Sequence, residues 1–316
     1  DNMNFLQTGY KGKNDSWMYV IMFFIVFFGS IIGQIPITIK AFFAVDSDFE
    51  KFAKSGENSF TDLGIDSNLY LFLILLSFII PLILFIIVLK RIHKKKLTWV
   101  VSSRKKIDWK RFLFGALIWG LITIFFLGSD IIISPEKYVW NFKPVPFFTL
   151  CFVAIVFIPL QTSLEEFLFR GYYMQGLALW IKNKWAPLII MSIVFGLMHG
   201  MNPEIQKLGS IALVFYIGTG FFFGIVTLMD EGTELAMGMH AINNILAALF
   251  VTTDWTVFQT EALFVDISEP SSGVDMFLPL FVLYPIVFLI FSRKYGWSNW
   301  KEKIFGNLVA PSLIEN

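Results

Sequence analysis

Long apolar runs alternate with short polar breaks along the chain, at a spacing that predicts eight membrane-crossing helices. The runs are Met18–Ile39, Tyr70–Leu89, Phe112–Ser129, Pro144–Leu164, Trp185–Met198, Leu208–Met229, Leu235–Thr253 and Met276–Ser292. A bilayer's hydrocarbon core takes about 20 apolar residues in helical form. Tyr70–Leu89 has that length and no charge, whereas Trp185–Met198 and Met276–Ser292 are shorter. Helices are expected throughout, because hydrocarbon holds no water to satisfy an open backbone. The alternating pattern of a membrane barrel is absent, so the expected fold class is all-α and polytopic. The first run is long and lacks a small-residue cleavage site, which makes it an anchor rather than a signal peptide. Asp1 and Asn2 precede Met3 as a processing remnant would.

Composition supports this class. The sequence is 56% hydrophobic and 18% aromatic with 16% charged residues, where soluble domains carry roughly 25% charge. Cys151 is the single cysteine, so no intramolecular disulfide can form, and its place in an apolar run reads as a small buried hydrophobe.

Charge gives the orientation. One set of loops holds Lys11, Lys13, Lys90, Arg91, Lys94, Lys95, Lys96, Arg104, Lys105, Lys106, Lys110, Arg111, Lys182, Lys184, Arg293, Lys294, Lys301 and Lys303. The opposite loops hold Lys40, Lys51, Lys54, Lys137, Lys143 and Lys207, together with acids such as Asp46, Glu57, Asp254 and Glu269. Lys/Arg asymmetry near span ends places the basic loops in the cytoplasm. Both termini are therefore expected to be cytoplasmic, in a multi-pass protein of the cell membrane. The basic run Lys90–Arg111 lies between two spans, so anionic headgroups rather than nucleic acid are its expected contacts, with His93 a solvated loop residue. The expected organisation is 1–143 (three spans and the basic loop), 144–253 (a core of spans four to seven) and 254–316 (an outer loop, the last span and a tail). The sizeable loops, Ala41–Leu69 and Thr253–Asp275, fall on the outer face.

Ionisable groups inside spans are costly and mark function. Three clusters stand out: Glu165-Glu166-Phe167-Leu168-Phe169-Arg170, Phe195-Gly196-Leu197-Met198-His199 and His240-Ala241-Ile242-Asn243-Asn244. Glu166 and Arg170 are one helical turn apart and form an expected ion pair. Glu165 is turned about 100° away from Glu166. His240 and Asn244 share a helix face. Glu165 precedes Lys182 by 17 residues and His199 follows it by 17, so a hairpin folded there brings the two level. Each cluster alone has a bland reading: a staple between helices, a core histidine, or amide glue. Their conjunction, with two of the three histidines in spans beside a paired carboxylate, does not.

The ordered patterns Glu-Glu-x-x-x-Arg, Phe-x-x-x-His and His-x-x-x-Asn resemble those of the CPBP group of CAAX proteases and bacteriocin-processing proteins. That group is also called Abi, and includes the type II CAAX prenyl endopeptidases. Glu165, Glu166 and Arg170 match the first pattern, Phe195 and His199 the second, His240 and Asn244 the third. The resemblance covers Pro144–Val251 and implies an intramembrane endopeptidase. It implies Glu165 as general base, assisted by His199 in activating water, and His240 with Asn244 as oxyanion hole. Glu166 and Arg170 would position the helix and the neighbouring carboxylate, with Phe195 packing beside them. The implied substrate is a membrane-associated peptide or protein, with lipidated and CAAX-like chains as candidates, and precedent in the family opens the site to the cytoplasm. A zinc ion on Glu165, His199 and His240 is the alternative to a metal-free glutamate site, since the family was first described as metalloproteases. The sequence lacks the His-Glu-x-x-His spacing, and an amide is a poor zinc ligand, which favours the metal-free form. Two other classes compete: a non-catalytic binding or immunity protein on the same fold, and a transporter, for which no paired repeats are present.

Overall fold

The structure, a computed structural model, describes residues 3–311. Asp1, Asn2 and the last five residues of the tail lie outside the described residues. The principal helices are α1 (Ser16–Ala44), α2 (Ser67–Arg91), α3 (Trp109–Ile133) and α4 (Pro144–Glu166). A π-helical turn, Phe167–Tyr172, joins α4 to α5 (Tyr173–Ile181). Then follow α6 (Trp185–Met198), α7 (Ala212–Asp230), α8 (Glu234–Leu249) and α9 (Tyr284–Tyr295). Local chemistry sets several of these starts. Asp66 and Asp108 cap α2 and α3 by accepting backbone N–H bonds, and Pro144 opens α4, where its missing N–H costs nothing.

The protein is a multi-pass membrane protein. Six described helical stretches are long and apolar enough to cross a membrane, including Pro144–Ile181 taken through the π turn and Val274–Tyr295. The two remaining expected spans form shorter helices. With 14 and 16 residues at ~1.5 Å rise each, α6 and α8 reach only about 21 and 24 Å. Exposed apolar residues run along α1, where Phe23, Phe24, Phe27, Phe28, Ile31 and Ile32 are about half exposed, and along α3, where Leu113, Leu117, Leu121 and Phe125 are more than half exposed.

Three further expectations need correction. The fold is helical but not purely so: β1 (Tyr138–Trp140), β2 (Val251–Thr252) and β3 (Phe264–Asp266) form a small sheet in the order β1-β3-β2, antiparallel then parallel. His93 is not a solvated loop residue. It is fully buried, with Nδ1 on the Lys13 carbonyl at 2.8 Å and Nε2 on the Tyr172 hydroxyl at 2.6 Å, and burial holds its imidazole below the usual range. The segment before α1 folds over it, which no local pattern announces. Cys151 is only half-buried.

The helix ends sort into two groups. At the basic end, the segment before α1, the α2–α3 loop, the α5–α6 turn, the α7–α8 turn and the segment after α9 are bonded together. Ser103 N–H donates to the Glu231 carbonyl, Leu308 N–H to the Lys182 carbonyl, and Lys184 Nζ to Glu302. At the other end sit the sheet, the α3–α4 loop and the segment between α8 and α9, tied by Lys143 to Glu261 and Asn141 to the Ala262 carbonyl.

Close backbone approach is what lets α8 enter the bundle. A Cβ at Gly238 of α8 would stand 1.9 Å from the Phe112 carbonyl oxygen of α3, and one at Gly115 of α3 would stand 2.5 Å from the Leu235 oxygen. Small residues at such crossings replace the hydrophobic drive that lipid cannot supply. Gly238→Val should therefore push α8 off α3 and cost the protein about 1–3 kcal/mol or more. Gly128→Ala, also on α3 but with nothing within 4 Å of the added carbon, should be neutral or slightly stabilising. Thermal unfolding in detergent micelles separates the two, and equal melting temperatures would refute the close-packing argument.

Candidate active site

Side chains from α4, α6, α7 and α8 converge on a cavity of about 340 Å³, lined by Gln161, Glu165, Phe195, His199, Tyr216, Phe223, His240, Asn243 and Asn244 among others. The four residues expected to carry chemistry, Glu165, His199, His240 and Asn244, thus share one cavity wall. Glu166 and Arg170 lie behind it, both buried. Glu165 and Glu166 diverge because adjacent helical residues point about 100° apart.

Glu166 is the pivot of the site. Its Oε1 accepts from Arg170 Nη1 at 3.2 Å and from His240 Nδ1 at 2.7 Å. The sequence reading gave Glu166 the task of steadying Glu165; in the structure its partner across the bundle is His240. A carboxylate accepts, so His240 carries its proton on Nδ1 and turns Nε2 toward Glu165 Oε2, 3.4 Å away. The ring is also stacked on Phe223, with centroids 5.4 Å apart. Arg170 lies on the π-helical turn and sets its guanidinium 4.0 Å from the Phe195 ring centroid and 5.2 Å from that of Phe223. The second-pattern phenylalanine is therefore a platform for Arg170 as well as packing for His199, whose ring centroid is 4.6 Å from it.

His199 caps the end of α6, and its Nδ1 sits 2.7 Å from the Phe195 carbonyl. A carbonyl cannot donate, so Nδ1 holds the proton and Nε2 is a bare acceptor in the neutral ring. Tyr216 of α7 stacks on this imidazole at 4.3 Å between centroids and 15° between planes, while its hydroxyl donates to Glu204 at 2.7 Å.

A relay orients the Asn244 amide. The Trp119 indole N–H is donor only, so Asn243 presents Oδ1 to it at 3.0 Å. Asn243 Nδ2 then donates to Asn244 Oδ1 at 3.1 Å, which leaves the Asn244 NH₂ group free to donate elsewhere. Sequence reasoning missed Trp119, Tyr216, Phe223 and Gln161, and gave Asn243, inside the third cluster, no role of its own. Of the four missed, only Gln161 had a local signal, lying one turn before Glu165 on the same helix.

Among the described residues no three His, Cys, Asp or Glu side chains are grouped so as to hold a metal ion. The Nδ1 bonds of His199 and His240, to Phe195 and Glu166, leave the Nε2 atoms unused by those partners, the disposition histidine ligands commonly have. Glu165, His199 and His240 are nonetheless not grouped as a ligand set here, and no step below is routed through a metal.

Comparison with known proteins agrees with the region where these residues lie. Residues 140–246 match the family described as type II CAAX prenyl endopeptidase Rce1-like. The chain is also 28% identical over 257 residues to the uncharacterized protein YyaK of Bacillus subtilis, covering 81% of this chain and 85% of that one. No solved structure matches. The segment that supplies Glu165, His199, His240 and Asn244 is thus the segment that matches the Rce1-like family, residues 140–246.

Proposed function

We propose that the chain is an intramembrane endopeptidase that hydrolyses a peptide bond of a membrane-associated polypeptide with water activated by Glu165 and His199. The observation that carries this reading is His240 held between two carboxylates, at 2.7 Å from Glu166 and 3.4 Å from Glu165, in the wall of a cavity shared with His199 and Asn244.

The chemistry follows from proton positions. A bare Nε2 facing a carboxylate at 3.4 Å would be repulsive, so one proton belongs to the pair formed by His240 and Glu165. With that proton on His240, the imidazolium can donate from Nε2 and Glu165 is left as the base. A water between Glu165 and His199 gives one proton to Glu165 and directs its other hydrogen at His199 Nε2. Its oxygen bonds to the peptide carbonyl carbon. The carbonyl oxygen becomes an oxyanion that accepts from His240 Nε2–H and Asn244 Nδ2–H. As the C–N bond breaks, Glu165 returns its proton to the leaving nitrogen, giving one carboxylic acid and one amine. Glu166 and Arg170 touch no reacting atom in this scheme; they position His240.

The same reading takes α6 and α8 as membrane crossings, making eight in all. The basic end then lies in the cytoplasm under the positive-inside rule, and the sheet lies outside in a cell membrane. Residues 144–253 form the catalytic unit. The π turn supports a functional assignment of this stretch, since such turns gather at functional sites.

Membrane-protein termini compared by mass spectrometry, in cells making the protein or Glu165→Gln at matched levels, test the reaction. Neo-termini should appear with the former and vanish with the latter, whose melting temperature should stay near the parent's. Identical profiles in cells that hold the native partners would refute the peptidase reading. On the substrate so identified, Asn244→Ala should lower kcat by roughly 10²–10³-fold, as loss of an oxyanion donor does. Trp119→Phe keeps the packing but releases the amide relay, and should lower kcat by a smaller factor with KM held. A change in KM alone would remove Trp119 from the positioning role.

A further inference from the structure

The cavity has a direction. Chain connectivity runs α4 from the sheet end toward the basic end and α8 the opposite way, so each helix is a ladder through the site. On α4, Gln161 lies one turn from Glu165 toward the sheet and lines the cavity. One residue beyond Glu165 toward the basic end, Glu166 is fully buried, as Arg170 is a turn later. On α8, Asn243, Asn244 and Ala247 follow His240 toward the sheet and all line the cavity, while Glu234 through Gly238 on the basic side are buried. Past α8 the wall continues in Val251, Thr253, Thr256, Val257 and Phe258, beside the sheet. The α8 start is closed off by a polar plug. Arg104 pairs with Glu234 at 2.6 Å, Arg111 pairs with Asp230, Trp297 Nε1 donates to Asp230 at 3.0 Å, and Thr233 N–H donates to the Val101 carbonyl.

The wall chemistry narrows the occupant. The lining carries the carboxylates Glu165 and Glu204 and neither lysine nor arginine. Asp254, in the mouth segment between Thr253 and Thr256, adds a third acid beside it. A chain that brings its own C-terminal carboxylate to Glu165 finds neither lysine nor arginine in this wall to receive it, and the proton shared by His240 and Glu165 leaves that pair without net charge. An internal segment, neutral or cationic, meets none of that repulsion. Gln161 Oε1 is buried and without a hydrogen-bond partner among the described residues, in place to accept an amide N–H from an extended peptide.

We infer that the site takes an internal, uncharged or cationic polypeptide segment from the face that carries the three-stranded sheet, opposite the basic end. This rests on the peptidase reading, and under the orientation proposed above that face is extracytoplasmic. It reverses the cytoplasmic opening that family resemblance implies.

The test uses the full chain in membrane vesicles, with Cys151→Ala as background and one cysteine added at a time. Asp254→Cys marks the sheet face, Lys105→Cys the basic face, and Ala247→Cys the inside of the cavity. Val257→Cys is a second cavity position should Ala247→Cys not fold. A membrane-impermeant maleimide is applied to right-side-out and inverted vesicles. The cavity cysteine should label in the same vesicles as Asp254→Cys, faster by an order of magnitude or more than in those that expose Lys105→Cys. Labelling that follows Lys105→Cys overturns the inference. In the second arm, single-span reporters carry a cationic internal segment on one face or the other. Cleavage on the Asp254 side, lost with Glu165→Gln, is expected; cleavage on the Lys105 side alone overturns the inference. If the cavity labels from the sheet face and no reporter is cut, the substrate assignment falls with the peptidase reading while the direction of the cavity stands.

Discussion

Everything in the site hangs on one buried carboxylate. Glu166 accepts from Arg170 and His240 through the same oxygen, while its Oε2 and Arg170 Nη2 have no hydrogen-bond partner among the described residues. A buried ion pair with atoms left over is poor value as a source of stability, because desolvation offsets most of its attraction. Its worth lies in what it fixes. A carboxylate at His240 Nδ1 holds that N–H and so sets the orientation of the ring, which turns Nε2 toward Glu165. Arg170 pairs with Glu166 at 3.2 Å and is itself held in place by the rings of Phe195 and Phe223. Truncating either partner would leave an uncompensated charge in the middle of the bundle, so the geometry is enforced by the cost of losing it.

Around that pivot the protein is asymmetric from end to end. The basic end is knitted by charged and polar bonds between five separate segments, including a segment before α1 that buries His93 and Lys95. Lys95 donates to the Gly9 carbonyl and to Asn14 Oδ1, at 2.7 and 2.6 Å, and burial pushes its ammonium down to about 8. The other end is joined by a few short strands and leaves space above the site. Asymmetry of this kind suits a chemistry that needs water on one side and must not leak through the other.

How much of this was legible in the sequence depends on the range of the cause. Apolar runs announce helices because composition alone drives them into lipid, and six of the eight runs are long apolar helical stretches in the structure. The Glu166 and Arg170 pair was legible because its spacing is local. Trp119 was not, because its role comes from Asn243, 124 residues away. Tyr216 and Phe223 looked like ordinary apolar-run residues until their rings were seen on His199 and His240. His93 misled for the opposite reason. A basic surrounding sequence reads as solvated, yet the ring is enclosed by Tyr172 and the Lys13 carbonyl, which lie far from it along the chain. The strands are two or three residues long, too short for any alternation to register.

The two short helices and the site explain each other. A helix that stops early inside hydrocarbon would strand its last carbonyls, and lipid offers them no donors. At the end of α6 those carbonyls are taken up locally: Phe195 receives His199 Nδ1, Gly196 receives the His199 N–H, and Leu197 receives the Gly200 N–H. At the end of α8 the strand segment does the same work, with Leu263 N–H donating to Leu249, Phe264 N–H to Phe250, and Thr260 Oγ1 to Ala248. The sheet is thus the termination of α8 rather than an ornament on a helical protein, and His199 is at once the cap of α6 and a wall of the cavity. Lengthening either helix to full bilayer span would drive apolar turns into the space between Glu165 and the sheet. The polar cavity exists because these two helices are allowed to end, and they can end because backbone donors close by satisfy what they leave exposed.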